Sequence, residues 1–151
     1  MLPRMRTRRG YSLIELIIVL ALLALAIGLA YPGARAAADG WAVRAARDAT
    51  ASVLASTRAA AVAHRGAELL VVQATGEVLT RTARSPRPLP RLSVTTDWGV
   101  ALSSPGFAGD TVSIRYDALG LGRVASRTLR FERGASSAGI TVSAYGRIRR
   151  W

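Results

Sequence analysis

Hydrophobic positions divide the chain into three regimes. From Tyr11 to Ala30, twenty residues run apolar, interrupted only by Ser12, Glu15 and Gly28. As a helix, that length spans a bilayer of about 30 Å. Pro32 and Gly33 follow. Beyond them Trp41, Ala45, Ala49, Val53, Ser56, Ala60 and Ala63 recur every three or four residues, the period of one helical face. The stripe is mostly small, which suits close packing against a sheet or another helix. His64 and Arg65 close it and Gly66 follows, a basic last turn with a glycine stop. The pattern predicts one helix from about Tyr11 to Arg65, about 80 Å long. On its surface Arg44 and Asp48 make an i,i+4 pair, while Arg47 and Arg58 face solvent.

After Gly66 the period shortens. Glu68–Gln73 is apolar and β-branched, and Glu77–Thr82 alternates. Thr75-Gly76 between them predicts a hairpin. Ser85-Pro86-Arg87-Pro88-Leu89-Pro90 reads as an extended loop, and Leu92–Thr96 as a short strand. Ser103–Asp110 is a loop. Thr111–Tyr116 alternates, Asp117-Ala118-Leu119-Gly120 turns, and Thr128–Arg133 sets Leu129 and Phe131 against Arg130 and Glu132. Gly134–Gly139 is a polar loop and Ile140–Ser143 a last strand. A long helix followed by six or seven short strands predicts an α+β fold, the helix stripe covering one small antiparallel β domain.

Charge alters the reading at both ends. All 21 basic residues are arginine, and the net charge is +12. Four arginines, Arg4, Arg6, Arg8 and Arg9, precede Gly10, so loss of residues 1–10 leaves +8. A basic chain favours anionic partners such as nucleic acid or lipid headgroups, although an arginine- and alanine-rich composition also reflects a GC-rich genome. The positive-inside rule puts Met1–Gly10 in the cytoplasm and the rest outside. There is no cysteine and one histidine, which excludes disulfides and thiolate metal sites. His64 reads as a helix-end residue helped by the dipole. The acids of the second half are scattered and Gly120-Leu121-Gly122 lies between strands. Nothing there forms a catalytic or nucleotide site, so the chain reads as a non-enzyme without cofactor or metal.

One carboxylate stands apart. Glu15 is the only charge between Tyr11 and Ala34, and a carboxylate in a membrane span costs about 2.5–3.5 kcal/mol unless partnered. The apolar run also fits an ordinary secretory signal cut near Ala34-Arg35-Ala36, a twin-arginine signal at Arg8-Arg9, or a plain anchor. None of these explains a glycine–aromatic junction with a glutamate five residues on. Gly10-Tyr11-Ser12-Leu13-Ile14-Glu15-Leu16 resembles the class III signal of type IV pilins and type II secretion pseudopilins, with Tyr11 for the usual phenylalanine and Ser12 for the usual threonine. The resemblance implies that a prepilin peptidase cuts after Gly10 and that Tyr11 is then methylated. It also implies that Glu15 neutralises the N-terminal amine of a neighbouring subunit, and that Pro32 marks a helix kink. The implied organisation is a leader at 1–10, a transmembrane and filament-core half-helix at 11–31, an amphipathic half at 32–66 and a C-terminal β domain at 67–151. The protein is expected in the bacterial inner membrane, its C-terminal domain periplasmic, assembled with other pilins or pseudopilins.

The far end carries a second resemblance. The strand ending in Tyr116, the turn at Gly120, the Leu129–Phe131 strand, Ile140-Thr141-Val142-Ser143 and Gly146-Arg147 resemble the C-terminal region of the GspH/FimT family of minor pilins. The family's "Phe-x-Pro-x-Gly" turn is matched here without its proline. In the FimT branch a Gly-Arg-x-Arg ending is linked to DNA binding in natural transformation, and Arg147 and Arg149 match that motif. Their guanidinium groups suit phosphate contacts; Arg150 adds charge and Trp151 a ring that stacks on a base. A solvated, edge-protecting strand is the plain alternative. The favoured expectation is a FimT-type minor pilin of a type IV pilus with double-stranded DNA as a further partner. The alternative is a GspH-type minor pseudopilin of a type II secretion system.

Overall fold

The computed structural model describes residues 11–85, 87, 89–123 and 125–151. The expected leader 1–10, with Gly10, lies outside the described residues, as do Pro86 and Pro88 of the proline-rich loop. One helix, α1 (Leu13–His64), continues unbroken through Pro32. The chain divides into two compact units, Met1–Arg35 and Ala36–Trp151.

In the first unit Ser12 starts the helix. Its hydroxyl accepts from the Glu15 amide at 3.2 Å, and its carbonyl accepts from the Leu16 amide at 3.2 Å, which is N-cap geometry. Between Leu13 and Leu29 no large apolar side chain is less than 53% exposed. This stretch is long and apolar enough to cross a membrane.

Among the described residues the second unit contains two antiparallel four-stranded sheets. The first orders β3 (Leu89–Ser93), β2 (Glu77–Thr82), β1 (Ala67–Val72), β5 (Thr111–Tyr116). The second orders β4 (Ala101–Ser103), β6 (Arg127–Arg133), β7 (Ser136–Val142), β8 (Ile148–Arg150). Alternation sends Leu69, Val71, Val112, Ile114, Leu129, Phe131 and Ile140 into one core with α1. Each large side chain fully removed from water there contributes about 1.5–3 kcal/mol.

The buried face of α1 differs from the expected stripe. Ala42, Val43, Ala46, Thr50, Ala51, Leu54, Thr57 and Ala61 are buried, whereas Trp41, Ser56 and Ala63 are exposed. Two threonines disguise that face. Thr50 and Thr57 donate to the carbonyls of Ala46 and Val53, each at 2.8 Å, so a buried hydroxyl costs little. Thr57 also meets Thr80 at 3.1 Å.

Three further differences have local causes. Leu92–Thr96 is not one strand, because Ser93 caps a short helix, α2 (Val94–Trp98), with Gly99 left-handed at its end. The polar stretch Ser136–Gly139 is strand rather than loop, paired with Arg130–Arg133. Asp48 does not pair with Arg44 but with Arg47 at 3.0 Å and Arg150 at 3.5 Å, so Arg47 is no solvated arginine.

Candidate functional sites

The residues flagged at the N-terminus lie on the exposed helix of the first unit. Tyr11 is 88% exposed, and Glu15 sits one turn on. Among the described residues Glu15 has no basic partner.

The C-terminal arginines divide between two faces. On β8 Ile148 packs on the core, so Arg149 faces away from the helix and Arg150 toward it. Arg150 accordingly reaches Asp48 of α1, which separates it from the expected group. Arg147 and Arg149 line one depression with Thr141 and Ser143. Neither takes part in an ion pair among the described residues. Trp151 is half-committed. Its ring occupies the place a Cβ on Gly139 would take, and its indole N–H donates to Thr141 Oγ1 at 3.4 Å. Four further arginines of the second half are engaged elsewhere. Arg123 pairs with Asp117, Arg130 with Glu132 and Arg133 with Asp39, and Arg127 stacks on Phe107 at 5.2 Å.

The turn before the tail is built on close backbone contact. Gly120 packs against Val62 and Arg58 of α1. A Cβ on Gly122 would stand 2.6 Å from the Ala144 carbonyl and 2.7 Å from the Gly146 amide. Asp117 closes the Tyr116–Gly120 turn, Oδ1 accepting from Leu119 and Leu121 amides at 2.9 Å each. The Leu121 amide first, then Leu119 and Arg123, hold its carboxyl below the ordinary aspartate value. The glycines of Gly120-Leu121-Gly122 therefore serve packing. The Tyr116 hydroxyl is buried without a partner among the described residues, and burial pushes its pKa up.

Sequence reasoning missed the most constrained charge in the second unit. Glu68 faces outward on β1 but is only 6% exposed. Register sets it directly between Arg81 of β2 and Arg115 of β5. Its Oε1 accepts from Arg115 Nε at 2.9 Å and from the Ser113 hydroxyl, and Oε2 accepts from Arg81 Nη2. Burial pushes the Glu68 carboxyl up, but Ser113, Arg115 and Arg81 together outweigh it and hold it below the ordinary glutamate value. The available signal was that all three charges occupy outward positions of alternating strands. Their separations in sequence, 13 and 47 residues, hide the meeting.

Comparison with known proteins finds a likeness in the N-terminal segment and in the fold. Residues 5–31 match the family described as the prokaryotic N-terminal methylation motif. No curated protein matches the chain at a significant level. Two crystal structures of the type IV minor pilin FimU of Pseudomonas aeruginosa (strain PAO1) share the fold. One superposes with a TM-score of 0.55 at 15% identity, covering 71% of this chain and 86% of FimU. The other, in a second crystal form, gives 0.51 at 15% identity, covering 72% and 91%. An N-terminal methylation motif thus leads into an α+β fold similar to that of FimU.

Proposed function

We propose that this protein is a minor pilin, a non-enzymatic structural subunit of a type IV filament built at the bacterial inner membrane. The observation that supports this reading is the uncovered apolar helix whose single carboxylate, Glu15, lies within the methylation motif at residues 5–31. A prepilin peptidase cuts between Gly10 and Tyr11, and Tyr11 is methylated. Residues 11–31 hold the chain in the membrane and then in the filament core, with Pro32 a point of helix bending. The arginines ahead of the span keep the leader cytoplasmic and leave residues 67–151 on the periplasmic side. N-terminal sequencing of the mature protein is expected to return methylated Tyr11. A mature N-terminus at Ala37 would mean an ordinary secretory signal and sink the proposal.

A FimT-type role in a type IV pilus is favoured over a GspH-type role in a type II secretion system. The support is the pair Arg147 and Arg149, exposed on one face and unpaired among the described residues, which suits a nucleic-acid backbone. The full chain in detergent micelles is expected to bind DNA with an affinity that falls steeply with salt. Arg147→Gln with Arg149→Gln is expected to weaken binding roughly tenfold or more and to reduce the salt slope by about 2, one unit per lost phosphate contact. Unchanged affinity in the double variant removes the tail from the function.

A further inference from the structure

We infer that Tyr145 is a base-stacking residue and that the Arg147–Arg149 edge takes single-stranded nucleic acid; the inference rests on the nucleic-acid reading above. Tyr145 is 78% exposed, the most exposed aromatic residue of the second unit. It stands two residues before Arg147, in the turn that joins β7 to β8. That turn is fixed on every side. The Gly146 amide donates to the Ser143 carbonyl at 2.8 Å and the Ser143 amide to the Arg147 carbonyl at 2.9 Å. The Arg147 amide donates to Ser143 Oγ at 3.0 Å. Gly146 is left-handed, with φ of +81°, and lies over the buried Tyr116 ring, where a Cβ would come within 2.9 Å of Cε1. Gly122 abuts the same turn from the side. A tyrosine on a braced turn loses little freedom on capturing a ligand.

The neighbouring groups define that ligand. Arg147 and Arg149 sit on alternate positions of an extended edge, about 7 Å apart by strand rise, a repeat that suits successive phosphates of an extended strand. Thr141 and Ser143 add hydroxyls to the same depression. Trp151, at the other end of β8, already lies over Gly139 and is tied to Thr141, which leaves Tyr145 as the more exposed ring at this edge. An exposed aromatic ring two residues from an arginine pair that suits phosphates gains by stacking on a base, and only unpaired bases offer their faces. A duplex would engage the arginines alone.

The test uses the full chain in detergent micelles and fluorescence anisotropy with two probes, a labelled oligodeoxythymidine of about 16 nucleotides and a duplex of similar length. The wild type is expected to favour the single strand. Tyr145→Ala is expected to lower single-strand affinity about 5- to 100-fold, the span for one lost base stack, while duplex affinity and the salt slope stay unchanged. Tyr145→Phe is expected to keep wild-type affinity. Equal losses on both probes, or no loss on either, overturn the stacking role while leaving the arginine reading intact. Binding of neither probe by the wild type overturns the inference and the nucleic-acid reading together. The Tyr145 side chain is exposed, so circular dichroism of Tyr145→Ala should match the wild type.

Discussion

Glu15→Ala is expected to be made, cleaved and methylated normally and yet to disappear from filaments. Helix formation does not depend on this carboxylate. The helix start is held by Ser12, whose hydroxyl binds the Glu15 backbone amide, and alanine is the better helix former. Insertion into the bilayer becomes easier, since the carboxylate's cost of about 2.5–3.5 kcal/mol in the span vanishes. On the proposed role, what is lost is the only charge that residues 11–34 offer to a neighbouring subunit's amine. Without it that amine enters an apolar environment unpaired, at several kcal/mol, and each 1.4 kcal/mol is about a tenfold change in a binding constant. Immunoblots of membrane and sheared-filament fractions should show equal membrane levels and a filament signal down at least about tenfold. Glu15→Gln should behave like the alanine variant, because volume is kept and charge is not. Normal incorporation of both variants would remove Glu15 from assembly.

The contrast between the two ends follows from what each feature depends on. The apolar run, its single carboxylate and the glycine–tyrosine junction are local in sequence, so they were legible without coordinates. So were β5 and β6, where Val112, Ile114 and Tyr116, and Leu129 and Phe131, alternate with polar neighbours. Features set by distant partners were not. Gly139 reads as a loop residue, yet it lies in the middle of β7 because Trp151 needs the space above it. Thr50 and Thr57 read as polar, yet they are buried because each satisfies its hydroxyl on its own helix. Trp41 reads as the first residue of the helix stripe, yet it is 65% exposed. One local signal was available and passed over: Ser93 three residues before Thr96, then Gly99, is a helix cap and stop around α2. In the arginine tail the alternation was legible, but not which face met the helix, and that decides that Arg150 goes to Asp48.

Glu68 gives the largest expected effect on stability, and its direction with pH follows from its surroundings. The side chain is 8% exposed, and it satisfies two arginines that are themselves 42% and 65% exposed. Glu68→Ala leaves both guanidiniums without an acid and the Ser113 hydroxyl without its acceptor. Because water reaches the arginines, the cost falls below that of a fully buried pair, at about 2–3 kcal/mol. For a domain of this size that is roughly 8–15 °C in Tm. Glu68→Gln keeps the shape and part of the bonding and should lose about half as much. The folded-state pKa of Glu68 is depressed, so its charge stabilises the fold above the unfolded value of about 4.3 and that contribution is lost as pH falls through the folded value. Asp48 and Asp117 are depressed as well and titrate in the same acid range, but both are common to wild type and variant. The difference in Tm between wild type and Glu68→Gln should therefore be constant from neutral pH down to about 5 and shrink below it, as the wild-type carboxyl becomes the neutral group the glutamine already is. Thermal melts across that range measure it directly, and a gap that widens on acidification would mean that Glu68 does not hold Arg81 and Arg115 as an anion.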